Sequence, residues 1–380
     1  MIYFDHNASS PLLPQARETW LEAEAMWPGS PSSQHRTGAR ADRALTDACE
    51  RVAALLGCSA LDIVWTSGAT EACNTVLHHA AATAGDAAAW VSAIEHPAVL
   101  ESAKYFFRDR LRVIPVDRRG VVELGWIDER LGGGERPSVV AVMAANNETG
   151  VLQPWEEVRV KCAERRVAFF CDATQWCGRL PAKGLGACDF VAGSGHKFGG
   201  PRGTGFLKCP AGRAVTPLLR GGPQQHGHRA GTENIAGALA LAAAWERCEG
   251  EIARGRSGSQ QAQRDAFERE LLSRLPGARI NGAEAPRLWN TVSVVMPETS
   301  DCRQRWVVKL DKASIAASTG SACASGAEKP SHVLSAMGLS GAEAGRALRF
   351  SAGWATEAAM WDELLETLVR IHREMSTAPV

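Results

Sequence analysis

The chain carries no excess of either charge: lysine plus arginine and aspartate plus glutamate both total 42, so the formal net charge over 380 residues is zero. Nothing in that balance grips a polyanion, and neither nucleic acid nor a membrane surface is expected as a partner. Long hydrophobic runs are missing as well. No apolar stretch approaches the roughly 18 residues of a membrane span. The start, Met1-Ile2-Tyr3-Phe4-Asp5-His6, has no basic segment leading into an apolar one, so no secretory leader is expected. Cysteine pairs are absent too. The 11 cysteines are scattered and none forms a C-x-x-C, which argues against a disulfide framework and a structural zinc site and suits a reducing cytoplasm. His226 and His228 have no cysteine pair to complete a metal set, so no metal is expected. There is no Walker motif and no strand-adjacent G-x-G-x-x-G.

What the chain does have is alternation. Residues 63–66, 88–94, 111–116, 138–145, 167–171 and 190–192 read as strands, with helical patterns between most of them, and 205–208 reads as an antiparallel return. Strand–helix alternation predicts an α/β fold with a large, mostly parallel sheet covered by helices on both faces. Upstream, residues 2–14 read as an extended arm, 15–25 and 38–56 as helices, and 27–35 as a loop. The texture changes after residue 220. A glycine-rich polar loop (221–232) precedes an alanine-rich helix (234–249), and residues 254–263 read as a hinge or a solvated helix start. Beyond them come helices at 265 onward, 303–310, 331–337 and 357–376, and strands at 291–295, 313–317 and 348–351. This is the pattern of a smaller α+β domain, with the boundary near 245–264.

In an open parallel sheet, ligands sit outside the carboxyl ends of the strands. The reactive residue types collect there. Ser67-Gly68-Ala69-Thr70 joins a strand to a helix; it is either a plain helix start or a cradle where backbone N–H groups meet an anion. Asp172 ends a strand, with Gln175 close behind. It either caps the next helix or pairs with a protonated heterocyclic nitrogen. His96 is a histidine beside a turn-forming proline, or a catalytic imidazole facing a cofactor ring and able to move protons. Lys197, in Ser194-Gly195-His196-Lys197, is a surface ammonium on a glycine-rich turn if taken alone, or a lysine that forms a Schiff base with a carbonyl cofactor. Together they offer an anion cradle, an imidazole, an acid and an amine. Those are the groups that pyridoxal phosphate, with its phosphate, pyridinium, phenolic oxygen and aldehyde, requires.

The ordered set closes on a resemblance. Phe4-Asp5-His6-Asn7-Ala8, Thr66-Ser67-Gly68-Ala69-Thr70-Glu71, Glu95-His96, Asn146-Asn147-Glu148-Thr149-Gly150, Asp172-Ala173-Thr174-Gln175, Ser194-Gly195-His196-Lys197, Arg229-Ala230-Gly231-Thr232, Ser321-Ala322-Cys323 and Arg349-Phe350-Ser351 follow one another over nearly the whole length. In this the chain resembles the class V, fold-type I pyridoxal-phosphate-dependent cysteine desulfurases, in the long-loop branch that serves nitrogenase and general iron–sulfur assembly. The resemblance implies an aspartate-aminotransferase-like fold, with residues 15–250 as the large cofactor-binding domain. Residues 1–14 and 251–380 would form the small domain that carries the Cys323 loop. It implies that Lys197 holds the cofactor and moves the substrate Cα proton. Asp172 would meet the ring nitrogen, Gln175 the phenolic oxygen and His96 the ring face. Ala69, Thr70, Ser194 and His196 would hold the phosphate, with Thr232 reaching across a homodimer with shared sites. Asn147 and Arg349 would bind the carboxylate of L-cysteine. Cys323, on a loop of small residues, would take the sulfur as a persulfide and pass it to an acceptor protein in the cytoplasm.

Three departures stand out: Ser30 where the family has asparagine, Pro223-Gln224-Gln225 where it has Gly-Gln-Glu, and Trp354 where arginine is usual. Two readings compete with the desulfurase. One is a class V relative with other chemistry at the same cofactor, such as a selenocysteine lyase, C–S lyase or aminotransferase. The other is a scaffold without activity, against which the joint presence of Lys197, Asp172, His96 and Cys323 argues. The 12 tryptophans carry no functional meaning in the sequence alone.

Overall fold

The computed structural model describes residues 1–212, 215–298, 303–319 and 331–377. Its strands are β1 (Ile2–Tyr3), β2 (Ile63–Thr66), β3 (Ala89–Ser92), β4 (Leu111–Ile114), β5 (Val139–Ala141), β6 (Ala168–Asp172), β7 (Phe190–Ser194), β8 (Gly205–Lys208), β9 (Arg279–Ile280), β10 (Thr291–Val295), β11 (Ile315–Ala316) and β12 (Ala347–Ser351). The helices are α1 (Pro14–Met26), α2 (Arg36–Leu56), α3 (Ala69–Thr83), α4 (Pro97–Phe107), α5 (Leu124–Gly132), α6 (Trp155–Glu164), α7 (Ile235–Ala253), α8 (Arg256–Arg274), α9 (Arg303–Lys312), α10 (His332–Ala336), α11 (Gly341–Ala344) and α12 (Ala358–Thr377).

Seven strands form the main sheet in the order β2-β8-β7-β6-β5-β3-β4. All neighbouring pairs are parallel except the two made by β8. Strands β3, β5 and β7 are buried along their whole length. Helices cover both faces, so these strands read as continuous apolar runs and not as alternating ones. On one face Val76 and Leu77 of α3 and Val99 and Phe107 of α4 join the core. On the other, Leu45 and Val52 of α2, Val158 of α6 and Trp245 of α7 do so. This is the α/β architecture expected from the alternation.

A second core gathers around the antiparallel sheet β12-β10-β9 and the parallel pair β1-β11. Phe267 from α8, Trp306 from α9 and Leu364 and Leu368 from α12 fill it, together with Phe4 from the N-terminal arm. The arm is therefore a structural strand of the C-terminal layer. The turn between α7 and α8 is sharp because Gly255 takes φ +73°, a left-handed conformation that glycine adopts at no steric cost. Of the two readings of residues 254–263 the solvated helix start holds: α8 starts at Arg256, and within the segment only Gln260 is buried. Helix α5 was not legible, because Gly125 and Gly132 dilute an apolar face made by Leu124, Ile127 and Leu131. The apolar stretch 138–145 gives only a three-residue strand. Its continuation stays extended by other bonds, Val142 N–H to Phe170 O at 3.1 Å and Ala144 N–H to Asp172 O at 2.9 Å. Tryptophans account for much of both cores; Trp90, Trp245 and Trp306 are fully buried.

Candidate active site

Successive strand ends on one edge of the main sheet deliver the site. β2 runs through Ser67 and Gly68 into α3. The segment after β3 brings Glu95 and His96, and the segment after β5 brings Asn147. β6 ends on Asp172. β7 ends on Ser194, and a single tight turn, Gly195–Lys197, then places the lysine. These residues enclose a cavity of about 460 Å³ whose lining includes Thr70, His96, Asp172, Gln175 and Lys197. Ala69, Asn147, Ser194 and His196 line it too. The structure thus brings nine of the predicted residues to one place.

One end of the cavity suits an anion. α3 begins at Gly68 with no side chain accepting its first N–H groups, so its positive end faces the lining. Gly68 takes φ +153°, and a Cβ at Gly205 would lie 2.5 Å from the Gly68 Cα. Both positions need glycine for the β8 start and the α3 start to approach. Glu71, in the first turn, receives the Ser67 N–H at 2.7 Å and the Arg229 Nε–H at 2.9 Å. Burial works against its ionisation, but these hydrogen bonds win and hold its carboxyl below the usual value. His196 meets Ser9 Oγ at 3.2 Å. Burial, then the nearby Lys197, Arg202 and Arg179 charges, push its pKa down to about 4, so the ring is neutral.

At the other end Lys197 Nζ donates to the carbonyls of Asn7 at 2.8 Å and Ala8 at 2.9 Å. Gln175 Nε2 donates to the same Asn7 carbonyl at 3.0 Å, and its buried Oε1 has no partner among the described residues. Asp172 accepts the Thr174 N–H at 3.0 Å; turns follow it where a capped helix was one expectation, and it lines the cavity as well. His96 does two things likewise. Its Nδ1 accepts the Ala98 N–H at 3.1 Å and caps α4. A neutral ring bonded in this way carries its proton on Nε2. Burial lowers its pKa, and Asp172 pulls the other way.

Sequence reasoning overlooked two contributors. Asn7 is buried; its carbonyl takes both the lysine and the glutamine, and its Nδ2 donates to Asn147 O at 3.1 Å and Thr291 Oγ1 at 2.9 Å. Its motif was visible, but nothing local told that the arm folds back over the lysine. Glu95 is fully buried and accepts the Met143 N–H at 2.6 Å through Oε1, and its Oε2 has no partner among the described residues. Burial, then the neighbouring Asp172, raises its pKa well above its usual value.

Some predicted residues fall elsewhere. Arg349 is buried beside the cavity and not in its lining; it donates to Asn147 O at 2.9 Å and pairs with Asp5 at 2.7 Å. Thr232 is exposed, three residues from the Arg229 that is tied to α3. Cys323 lies outside the described residues. Among the nine described cysteines, burial pushes the thiols of Cys49 and Cys58 up to about 11 and those of Cys162, Cys209 and Cys248 to about 12. None of these five is a thiolate at neutral pH.

The aminotransferase class-V family model matches residues 2–364. A cysteine desulfurase of Cereibacter sphaeroides is 39% identical, covering 97% of this chain and 94% of its own. One from Enterobacter agglomerans is 36% identical over 92% of this chain and 87% of its own. The chain belongs to the class-V aminotransferase family, among its cysteine desulfurases. Solved structures agree. A NifS-like protein superposes with a TM-score of 0.88 at 31% identity, covering 98% of this chain and 99% of its own. The NifS-like protein from Rickettsia africae gives 0.87 at 27% identity with the same coverage.

Family membership makes one departure informative. Gln225, where glutamate is usual, lies at φ +49° and bonds both backbone groups of Trp65: its Oε1 accepts the N–H at 2.5 Å and its Nε2 donates to the carbonyl at 2.9 Å. β2 is an edge strand, so the amide closes hydrogen-bonding groups that an open edge exposes. A carboxylate accepts but does not donate. No helix among the described residues is long and apolar enough to cross a membrane.

Proposed function

We propose that this desulfurase holds pyridoxal phosphate in the 460 Å³ cavity and converts L-cysteine to L-alanine, leaving a persulfide on Cys323. The uncapped α3 start and the glycine pair that forms it fit a phosphate, and Asp172 fits a ring nitrogen that must stay protonated. Ala69, Thr70, Ser194 and His196 hold the phosphate, and Thr232 from a second copy completes it in a homodimer. Gln175 meets the phenolic oxygen, His96 the ring face, and Lys197 is the point of attachment. When bound, the group supplies an electron sink for the charge developing at the substrate Cα.

The chain's own residues do the remainder. Arg349 and Asn147 orient the substrate carboxylate. Lys197 Nζ takes the Cα proton, and the Asn7 and Ala8 carbonyls hold that nitrogen over the site. The Cys323 thiolate attacks the substrate sulfur. An S–S bond forms, the C–S bond breaks with its electron pair left on carbon, Cβ gains a proton to become a methyl group, and the proton held on Lys197 returns to Cα to give alanine. The persulfide then passes to an acceptor protein in the cytoplasm, for iron–sulfur assembly or another thiolation. Residues 15–250 act as the cofactor-binding domain, and residues 1–14 with 251–380 as the domain that carries Cys323.

The observation that carries this reading is the meeting of Lys197, Asp172 and His96 around one cavity beside an uncapped helix start. Purified protein incubated with cofactor and L-cysteine is expected to yield alanine and a Cys323 peptide heavier by one sulfur. Alanine without that persulfide overturns the mechanism, and Cys323→Ser is expected to abolish both.

A further inference from the structure

Behind the lysine turn lies a second cavity, of about 420 Å³. Its walls come from distant parts of the chain: the arm at residues 10–14, the segment 178–179, the turn 197–199, the α7–α8 junction, Trp289 and the segment 352–357. One wall is apolar, built from Leu13, Phe198, Trp289 and Trp354. The two indoles pack with centroids 4.3 Å apart. Both spend their N–H on backbone, Trp354 on Gly178 O at 3.0 Å and Trp289 on Arg179 O at 2.9 Å. Trp354 is the departure from arginine noted in the sequence. Tryptophan here adds an aromatic face, and Arg256, which also lines the cavity, donates to its carbonyl at 2.9 Å.

The opposite chemistry comes from Arg179, which is only 3% exposed and lines the same cavity. Its Nη1 donates to Gln175 O at 3.0 Å, and its Nη2 donates to His6 O at 3.3 Å and Lys197 O at 3.1 Å. Burial lowers its pKa to about 10, so it stays charged at neutral pH, and no carboxylate is among the groups acting on it. Glu251, the buried acid on the rim, already holds Arg247, Arg254 and Arg256, and Glu357 is exposed. A buried cation solvated only by carbonyls is costly, and a cavity of this size beside it is of ligand dimensions.

We propose that this cavity binds a small amphipathic carboxylate, its apolar body against Trp354 and Leu13 and its carboxylate on Arg179. Charge and surface both select that class: an uncompensated guanidinium calls for an anion, and the aromatic wall calls for carbon. The site is coupled to the catalytic turn. Arg179 is bonded to the Lys197 and Gln175 carbonyls, so an occupant that draws on the guanidinium shifts the residues facing the first cavity. The binding itself does not depend on the chemistry proposed above.

The probe is 1-naphthaleneacetate, titrated calorimetrically into the full cofactor-loaded chain beside the uncharged 1-naphthalenemethanol. Saturable binding of the acid to one site is expected, with the alcohol weaker by at least about tenfold. Trp354→Glu, which removes the indole and puts a like charge on the wall, and Arg179→Met, which removes the anchor, should each weaken the acid by at least about tenfold. Should Arg179→Met not fold, Trp354→Glu carries the test, because Trp354 is only partly buried. No saturable binding up to about 5 mM, equal affinity for acid and alcohol, or unchanged affinity in Trp354→Glu overturns the proposal.

Discussion

The two sides of the Lys197 turn are built in opposite ways. On the front, most wall residues lie at or just past the ends of strands in a single sheet, with the arm folded over them. The polar groups there include the carboxyls of Asp172 and Glu71, the imidazoles of His96 and His196, the Arg202 guanidinium and the Lys197 amine, beside a helix start without a side-chain cap. On the back, the walls come from the arm, two helices and the second sheet, and the principal charge is a buried guanidinium held by carbonyls. One backbone turn separates a chamber equipped for proton transfer from one equipped to receive an anion. The contrast shows that a sheet can collect chemistry by topology alone, whereas a site between layers exists only once the layers have docked.

Substitutions on each side should therefore fail differently. The largest effect belongs to the front: Lys197→Ala should lower alanine formation by at least ~10⁴-fold, with the unfolding midpoint little changed in urea. Next comes the back. Trp289→Ala empties a buried indole and strands the Arg179 carbonyl, so it should cost about 3–5 kcal/mol of stability by chemical denaturation. Cofactor absorbance in the surviving fold should persist; its loss would mean that the two chambers are one unit.

A smaller effect, visible in pH, divides the two sides again. His6 on the back and His196 on the front are each lowered to about 4 from 6.5, by burial first and then by nearby cations. The unfolded chain takes up protons below pH 6.5 that the folded chain refuses. Stability should thus fall as pH drops from 6.5 towards 4, His6 alone contributing about 3 kcal/mol across that window. His6→Gln should flatten this slope in denaturation series at pH 7.5, 6 and 5. The smallest effect lies away from both chambers. Gln225→Glu leaves the Trp65 carbonyl without its donor at the sheet edge and should cost about 1 kcal/mol in thermal unfolding.

Legibility followed the same division. The strand-end residues Asp172, Lys197 and His96 were readable because each lies just past an apolar run, where a parallel sheet must place its ligand. Their local roles in turns and caps proved compatible with the site: Asp172 bonds the Thr174 amide and His96 the Ala98 amide while both line the cavity. Asn7 was quoted as part of a motif yet not recognised as the group that holds Lys197, because that contact spans 190 residues. Arg349 was read as a substrate group, and the structure adds its pairing with Asp5 across 344 residues. The cavity behind the turn gave no sequence signal at all. Its lining is scattered from His6 to Glu357, and Trp354 was legible only as a departure.

By itself the sequence determined the α/β alternation, the family and the residue types at each strand end, because hydrophobic periodicity and turn chemistry act over a few residues. Only the tertiary structure decided which charges are compensated. Nothing local in the chain tells that Arg179 and Glu95 are buried, or that His196, read as a phosphate ligand, is held neutral. Burial removes water from all three and disfavours the charged form of each, and like charges add to it: Asp172 on Glu95, Lys197 and Arg202 on His196, Arg349 on Arg179.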